Sequence, residues 1–348
     1  MELGIFLEEA RQGIDQATAF AETFALADAA EERGLDSVWL GEIHFLPTRS
    51  VISSPLLVAT AIATRTRRLR VGTAVHLIPL NNPLRIAEEV ATLDHISLGR
   101  VDFGVGRSGS PRAYDLYGIP YGESQARFRE ALEIIRRAWE GEPFSYAGEF
   151  FKFDRATVAP RPYQTPHPPI LMAATSEETF PLVARLGRGI LVGLRGMHIS
   201  VLREHLRRYR ETWREAGHAG AGRVCLRIPL YAAPTEREAL DDPRESIMYY
   251  LRRQADITRA PAGRAGALAT ERLRARAEQL DALSYEEVLQ ERVVFGTAPA
   301  IIDRLTQLRE ELRLDGVVFE LGSGGLIPSE RELRSLHIVA DKVVPALK

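Results

Sequence analysis

Short apolar runs alternate with stretches of helical period along the whole chain. Leu3 to Leu7, Ser37 to Leu40, Leu69 to Ile78 and Val101 to Val105 read as buried strands. So do Pro169 to Ala173, Gly189 to Val192, Val224 to Ala232 and Asp315 to Leu321. Helices are predicted over 17–33, 54–65, 83–97, 124–140, 176–186, 199–216, 298–313 and 329–346. In the first, Phe20, Phe24, Ala27 and Ala30 share one face, and Gly34 follows as a C-cap. Eight strand-then-helix units in order predict an α/β fold, with a parallel sheet closed into a (β/α)8 TIM barrel. The chain, 1–348, is read as a single domain. Two stretches exceed the unit length, around 141–168 and 235–295. The first is rich in aromatic residues and proline, the second in arginine. Such insertions serve as lids or binding loops, or as solvated hairpins and dimer contacts. The aromatic residues of 144–163 are candidates for the substrate side.

Composition narrows the class. With 45% apolar and 26% charged residues the chain reads as globular. A net charge of −2 argues against nucleic acid or an anionic membrane as partner. No apolar run is long enough for a membrane span. The opening MELGIFLEE reads as a strand, not a signal peptide. The single cysteine, Cys225, lies between Val224 and Leu226 and reads as an inert core thiol, which fits a reducing cytoplasm. No metal-ligand spacing, G-x-S-x-G elbow or Walker A loop is present.

The unusual residues gather at the C-terminal ends of the predicted strands, the catalytic face of such a barrel. After the second strand come Glu42 and His44. A strand-end histidine can act as acid or base with Glu42 orienting it; the alternative is a structural pair. His76 lies within the third strand, two residues after Ala74 and on the same face, and is either a core or a lumen residue. His95, on the next helix, reads as a helix–barrel packing residue. FGVGRSGSPR places Arg107 in a loop with Gly104, Gly106 and Gly109. Exposed amides beside a fixed cation suit a phosphate; the other reading is a tight turn with a surface arginine. Thr175, Ser176 and Thr179 open the helix after the fifth strand, as a cap or an anion site. Glu177 and Glu178 are expected to face solvent.

The motifs ERGLDSVWLGEIHF, VGTAVHLIPLNNPLRIAEEVATLDHISLGRVDFGVGRSG, the SEET segment, and FGTAPAIIDRL with GVVFEL occur together and in order. On these, the chain resembles the luciferase-like flavin-dependent oxidoreductases over essentially its whole length. The resemblance implies a homodimeric barrel that binds reduced FMN at the C-terminal rim. It implies that O2 is activated there to oxygenate a small organic substrate, with a separate flavin reductase as partner. Arg107 would hold the FMN phosphate, helped by Gly109, Thr175, Ser176 and Thr179. Arg127 resembles a further contact. Ala74 and Val75 match a non-proline cis peptide beneath the flavin ring. One position departs: relatives with Glu-His-His-Phe have a histidine where this chain has Ile43. The resemblance leaves two alternatives, a dehydrogenase using a deazaflavin coenzyme and a non-catalytic flavin-binding protein.

Overall fold

The structure, a computed structural model, describes residues 1–108, 110–194, 197–264 and 267–348. Eight parallel strands close into a barrel, as the alternation predicts. They are β1 (Glu2–Leu7), β2 (Ser37–Leu40), β3 (Arg70–Thr73), β4 (Val101–Gly106), β5 (Ile170–Ala173), β6 (Gly189–Gly193), β7 (Val224–Ala232) and β8 (Gly316–Glu320). Closure is visible in the register. Arg227 of β7 lies opposite Gly193 of β6, Cys225 opposite Gly316 of β8, and Gly316 opposite Glu2 of β1.

Each strand sends alternate residues to opposite sides. Leu3, Ile5 and Leu7, like Val38 and Leu40, join the main core under the helices. Phe6, Trp39, Leu171, Leu191, Cys225 and Val318 form a separate cluster inside the barrel, touched by Ala74 and Val75. The lumen is therefore a packed core and not a pore. Trp39 fills so much of it that only glycine fits across from it at position 72, where a Cβ would overlap the indole. At the N-terminal end of the lumen, Arg70 and Arg223 both pair with Asp102 at 2.7 Å, and Arg223 also pairs with Glu2 at 2.5 Å.

Three boundaries differ from the sequence reading. The third strand is broken: it ends at Thr73, Ala74–Val75 is a cis peptide as the resemblance implied, and His76–Leu77 then pairs with β4. The helix after β5 begins at Thr179, not Ser176. The Ala174 amide still donates to Leu191 O at 3.0 Å, which keeps the chain extended past the strand end. Residues 144–156 form a hairpin, Phe144–Ala147 with Lys152–Ala156. Phe144, Tyr146, Phe151 and Phe153 pack against the outer core, so these aromatics serve the barrel's outside and not the substrate side.

The 235–295 insertion contains helices Glu236–Asp241, Arg244–Arg259, Ala267–Asp281 and Tyr285–Glu291. It has a small core of its own, with Tyr250, Leu251, Leu280, Tyr285 and Val288. The strand Val294–Gly296 then extends the sheet beside Leu230–Ala232.

Gly72→Ala should destabilise the protein by about 1–3 kcal/mol, because the added methyl must displace Trp39. Chemical denaturation measures this directly. An unchanged midpoint would contradict the packing described here.

Candidate active site

The inward positions nearest the C-terminal rim divide into two halves. On β2 to β6 they are small: Gly41, Ala74, Gly106, Ala173 and Gly193. On β1, β7 and β8 they are Glu8, Arg227 and Glu320, all buried. Arg227 donates to Glu320 at 2.8 Å and lies 3.4 Å above the Phe6 ring. Arg49 bridges Glu8 and Glu9, and Arg253 reaches Glu9 from the insertion helix Arg244–Arg259. Tyr250, one turn earlier on that helix, donates to Glu320 at 3.2 Å. Three arginines thus face three glutamates, a balance that a buried cluster requires. This half is filled and capped. The other half has a low apolar floor, with Ala74 and Val75 half-buried above Trp39, Leu171 and Leu191.

Beside that floor stand the predicted anion-binding residues, at the ends of neighbouring strands β4 and β5. Arg107 is exposed. Its Nη1 donates to Ser124 Oγ at 2.8 Å, its guanidinium stacks 5.5 Å from the Tyr121 ring, and its carbonyl accepts the Tyr114 hydroxyl. No carboxylate among the described residues pairs with it. Ser176 Oγ and Thr179 Oγ1 lie 2.9 Å apart, and Thr175 and Ser176 are exposed. Ser176 does not cap the helix; its carbonyl accepts the Thr179 amide in a preceding turn. Glu177 and Glu178 face solvent as expected. Gly109 lies outside the described residues. Arg127 pairs with Glu123 at 2.9 Å and stacks 4.4 Å from the Phe150 ring.

Glu42 and His44 meet as the sequence suggests, but on the outer side of the wall. Glu42 Oε1 accepts His44 Nε2 at 2.7 Å. Glu42 Oε2 accepts the Leu77 amide at 3.0 Å and lies 2.5 Å from His76 Nδ1. The His76 ring packs against Phe103, a member of the outer core, so His76 is a core residue. His44 Nδ1 faces the Tyr117 hydroxyl at 3.2 Å. The Glu42 side chain is 1% exposed. Burial alone would push its carboxyl up. Attraction to His76, hydrogen bonds from His44 and His76 and the Leu77 amide outweigh that and hold it down to about 2. The carboxylate thus ties the end of β2 to the segment following the cis peptide. His95, expected in the packing layer, is exposed instead; its Nε2 meets Arg161 O at 2.9 Å.

Sequence reading missed Ser124, Tyr114 and Tyr121 around Arg107, because nothing in their spacing ties them to it. It also missed the Glu8–Arg227–Glu320 cluster. There a signal existed: each lies two residues beyond an inward Phe6, Cys225 or Val318.

The luciferase-like monooxygenase family model matches residues 1–315, and the chain belongs to that family. The oxygenase component of flavin-dependent trigonelline monooxygenase from Acinetobacter baylyi is 26% identical over 355 residues, 99% of this chain and 94% of that one. The crystal structure of monooxygenase RslO1 from Streptomyces bottropensis superposes with a TM-score of 0.83 at 27% identity, covering 100% of both chains. Two matches are partial. An uncharacterized protein, y4wF, of Sinorhizobium fredii is 35% identical over 190 residues, 55% of each chain. F420-dependent glucose-6-phosphate dehydrogenase of Kineococcus radiotolerans is 37% identical over 186 residues, 50% of this chain and 54% of that one. The chain spans about half the length of these two relatives. No helix among the described residues is long and apolar enough to cross a membrane.

The depressed Glu42 carboxyl makes stability depend on pH. Its folded value of about 2 lies below the ordinary 4.5, so the contribution is complete above the ordinary value and is lost as pH falls toward 2. The contribution is about 3 kcal/mol. Glu42→Gln should therefore unfold more easily at neutral pH and lose less stability than the parent on acidification. Denaturation at neutral and at acid pH checks this. Parallel losses in both proteins would contradict it.

Proposed function

We propose that this protein is the oxygenase component of a two-component flavin monooxygenase. It takes reduced FMN from a separate reductase and uses O2 to oxygenate a small organic substrate. The observation that carries this reading is the divided rim. An apolar floor of small residues lies beside an exposed arginine that no carboxylate among the described residues neutralises. That is what a flat ring with a phosphate tail requires, and the residues present fit FMN. The trigonelline monooxygenase component, similar along nearly the full length of both chains, supports the same reading.

In this reading Arg107 holds the phosphate as a fixed fork, with Thr175, Ser176 and Thr179 donating beside it. Gly109 stays in the set on its sequence position alone. Ala74 and Val75 support the ring from below. When bound, reduced FMN supplies the electrons for O2 activation; the protein contributes orientation and exclusion of water. His44 was expected either to move protons with Glu42 orienting it or to form a structural pair with Glu42. We assign them a positioning role, since their partners are Leu77, His76 and Tyr117. The buried charges of Glu8, Arg227 and Glu320 block the other half of the rim. A homodimer and a cytoplasmic location complete the proposal. Exposed Leu57, Ile96 and Leu98 offer apolar surface for the first, and the buried lone thiol of Cys225 suits the second.

A second reading, a dehydrogenase using the deazaflavin coenzyme, is favoured by the partial match to the F420-dependent enzyme. It would have to seat a longer and more anionic tail past the same arginine.

Arg107→Ala should weaken reduced FMN binding roughly ten- to hundredfold, as expected for loss of a charged hydrogen bond to phosphate. Anaerobic titration followed by flavin absorbance measures it. Unchanged affinity would remove Arg107 from the phosphate site. Sedimentation should give twice the mass of one chain; a monomer at micromolar concentration would refute the dimer.

A further inference from the structure

The chain leaves β8 through Gly322 and Ser323 and turns toward the helix Ser329–Ile338. Beside this turn lies a crevice of about 30 Å³, bordered also by residues 9–11 after β1 and by the helix Gln16–Glu32. That is room for a guest the size of a water molecule. The Glu332 carboxylate reaches in from the helix Ser329–Ile338 and lies against the Gly322 backbone, where an added Cβ would come within 2.7 Å of Oε1. No described residue gives this carboxylate a hydrogen bond or an ion pair. Ser323, 5% exposed, lines the same crevice, and its Oγ has no hydrogen-bond partner among the described residues either. The other polar side chains there are engaged. Arg11 donates to Glu22 from Nε at 3.2 Å and from Nη2 at 2.7 Å, and the Thr23 hydroxyl donates to Ala19 O.

We propose that this crevice binds a small monovalent cation, potassium or sodium, with the Glu332 carboxylate and the Ser323 hydroxyl among its ligands. Charge sets the valence. Glu8, Glu9 and Glu320 are balanced by Arg49, Arg227 and Arg253, and Glu22 by Arg11. Glu332 is the one carboxylate lining the crevice that is left over, so a guest with a single positive charge neutralises it. Among the described residues no three His, Cys, Asp or Glu side chains gather as zinc or calcium would need. Chemistry sets the class. Both groups without partners offer oxygen, the ligand of hard cations. Burial and the neighbouring Glu22 push the Glu332 carboxyl up to about 7, and Arg11 offsets only part of this. A positive guest stabilises the ionised form of a carboxyl so placed, and a neutral guest leaves its charge uncompensated. The site lies on the β1 and β8 side, apart from the flavin seat, and its failure leaves the flavin reading untouched.

The test is thermal unfolding of the full-length protein at a pH about one unit above the Glu332 value. Potassium, sodium and tetramethylammonium chloride are compared at equal ionic strength. Tetramethylammonium screens surface charge but is too bulky for the crevice. The parent is set beside Glu332→Gln, Ser323→Ala and Glu330→Gln. Glu330 is exposed on the same helix and controls for the general field of its charges. Potassium or sodium should raise the parent's midpoint by about 2–4 °C over tetramethylammonium, and saturably, because the ion binds the folded chain alone. Glu330→Gln should show the same rise. Glu332→Gln should show none, and in tetramethylammonium it should match or exceed the parent, since it no longer buries an uncompensated charge. Ser323→Ala should need more of the cation for the same rise. A full rise in Glu332→Gln places the ion elsewhere and overturns the proposal. Equal losses of the rise in Glu332→Gln and Glu330→Gln show a diffuse field and overturn it too. So does a parent midpoint that is the same in all three salts; a proton then holds the carboxyl if the midpoint climbs as pH falls through about 7. An unchanged cation requirement in Ser323→Ala overturns the site as described, because it removes the hydroxyl from the ligands.

Discussion

Eight short parallel strands around one axis leave the lumen no freedom: every second residue of each strand must fit inside. The middle of the barrel meets this demand with bulk. Trp39 occupies space that Gly72 vacates, and Phe6, Leu171, Leu191 and Val318 close the rest. The N-terminal end meets it with the paired charges of Glu2, Arg70, Asp102 and Arg223. At the C-terminal end the same demand is met unequally. Five strands present glycine or alanine, and three present a buried, balanced ionic cluster. The open half follows from that inequality, and the cofactor reading follows from the open half.

The wall around the open half is held from outside. Glu42 is buried, ionised and surrounded by donors from the end of β2 and from the segment after Val75. An unpaired buried carboxylate would be costly, so these donors make the local geometry of the two strand ends mutually dependent. This is the structural-pair use of Glu42 and His44, not proton transfer by His44, and alternation along the strand explains it. Gly41 faces Glu8 inside the barrel, so its neighbour Glu42 faces the helices.

Much of this was legible in the sequence. The strand order, the closure and the convergence of Arg107, Ser176 and Thr179 on one rim follow from apolar runs and their ends. Other features needed coordinates. The side on which His44 points depends on a chain direction that extends past the last strand hydrogen bond, where period-two patterns lose authority. Thr179, and not Ser176, starts its helix because Ala174 remains bonded to β6, a long-range contact that no local propensity reports. The aromatics of 144–163 were candidates for the substrate side; in the fold Phe144, Tyr146, Phe151 and Phe153 cover the outer core, since burial and not composition decides where aromatic residues go. The arginine-rich insertion read either as a lid or binding loop or as a solvated hairpin or dimer contact. Only the fold brings Arg264, Arg272 and Arg276 to the loops after β4 and β5.

The central claim is that the small-residue half of the rim is the flavin seat. A crystal structure of the protein soaked anaerobically with reduced FMN tests it most directly. The account predicts the ring over Ala74, Val75, Gly106 and Ala173, with the phosphate between Arg107 and Ser176. Density for the flavin against Glu8, Arg227 and Glu320, or at no point on the rim, would contradict it.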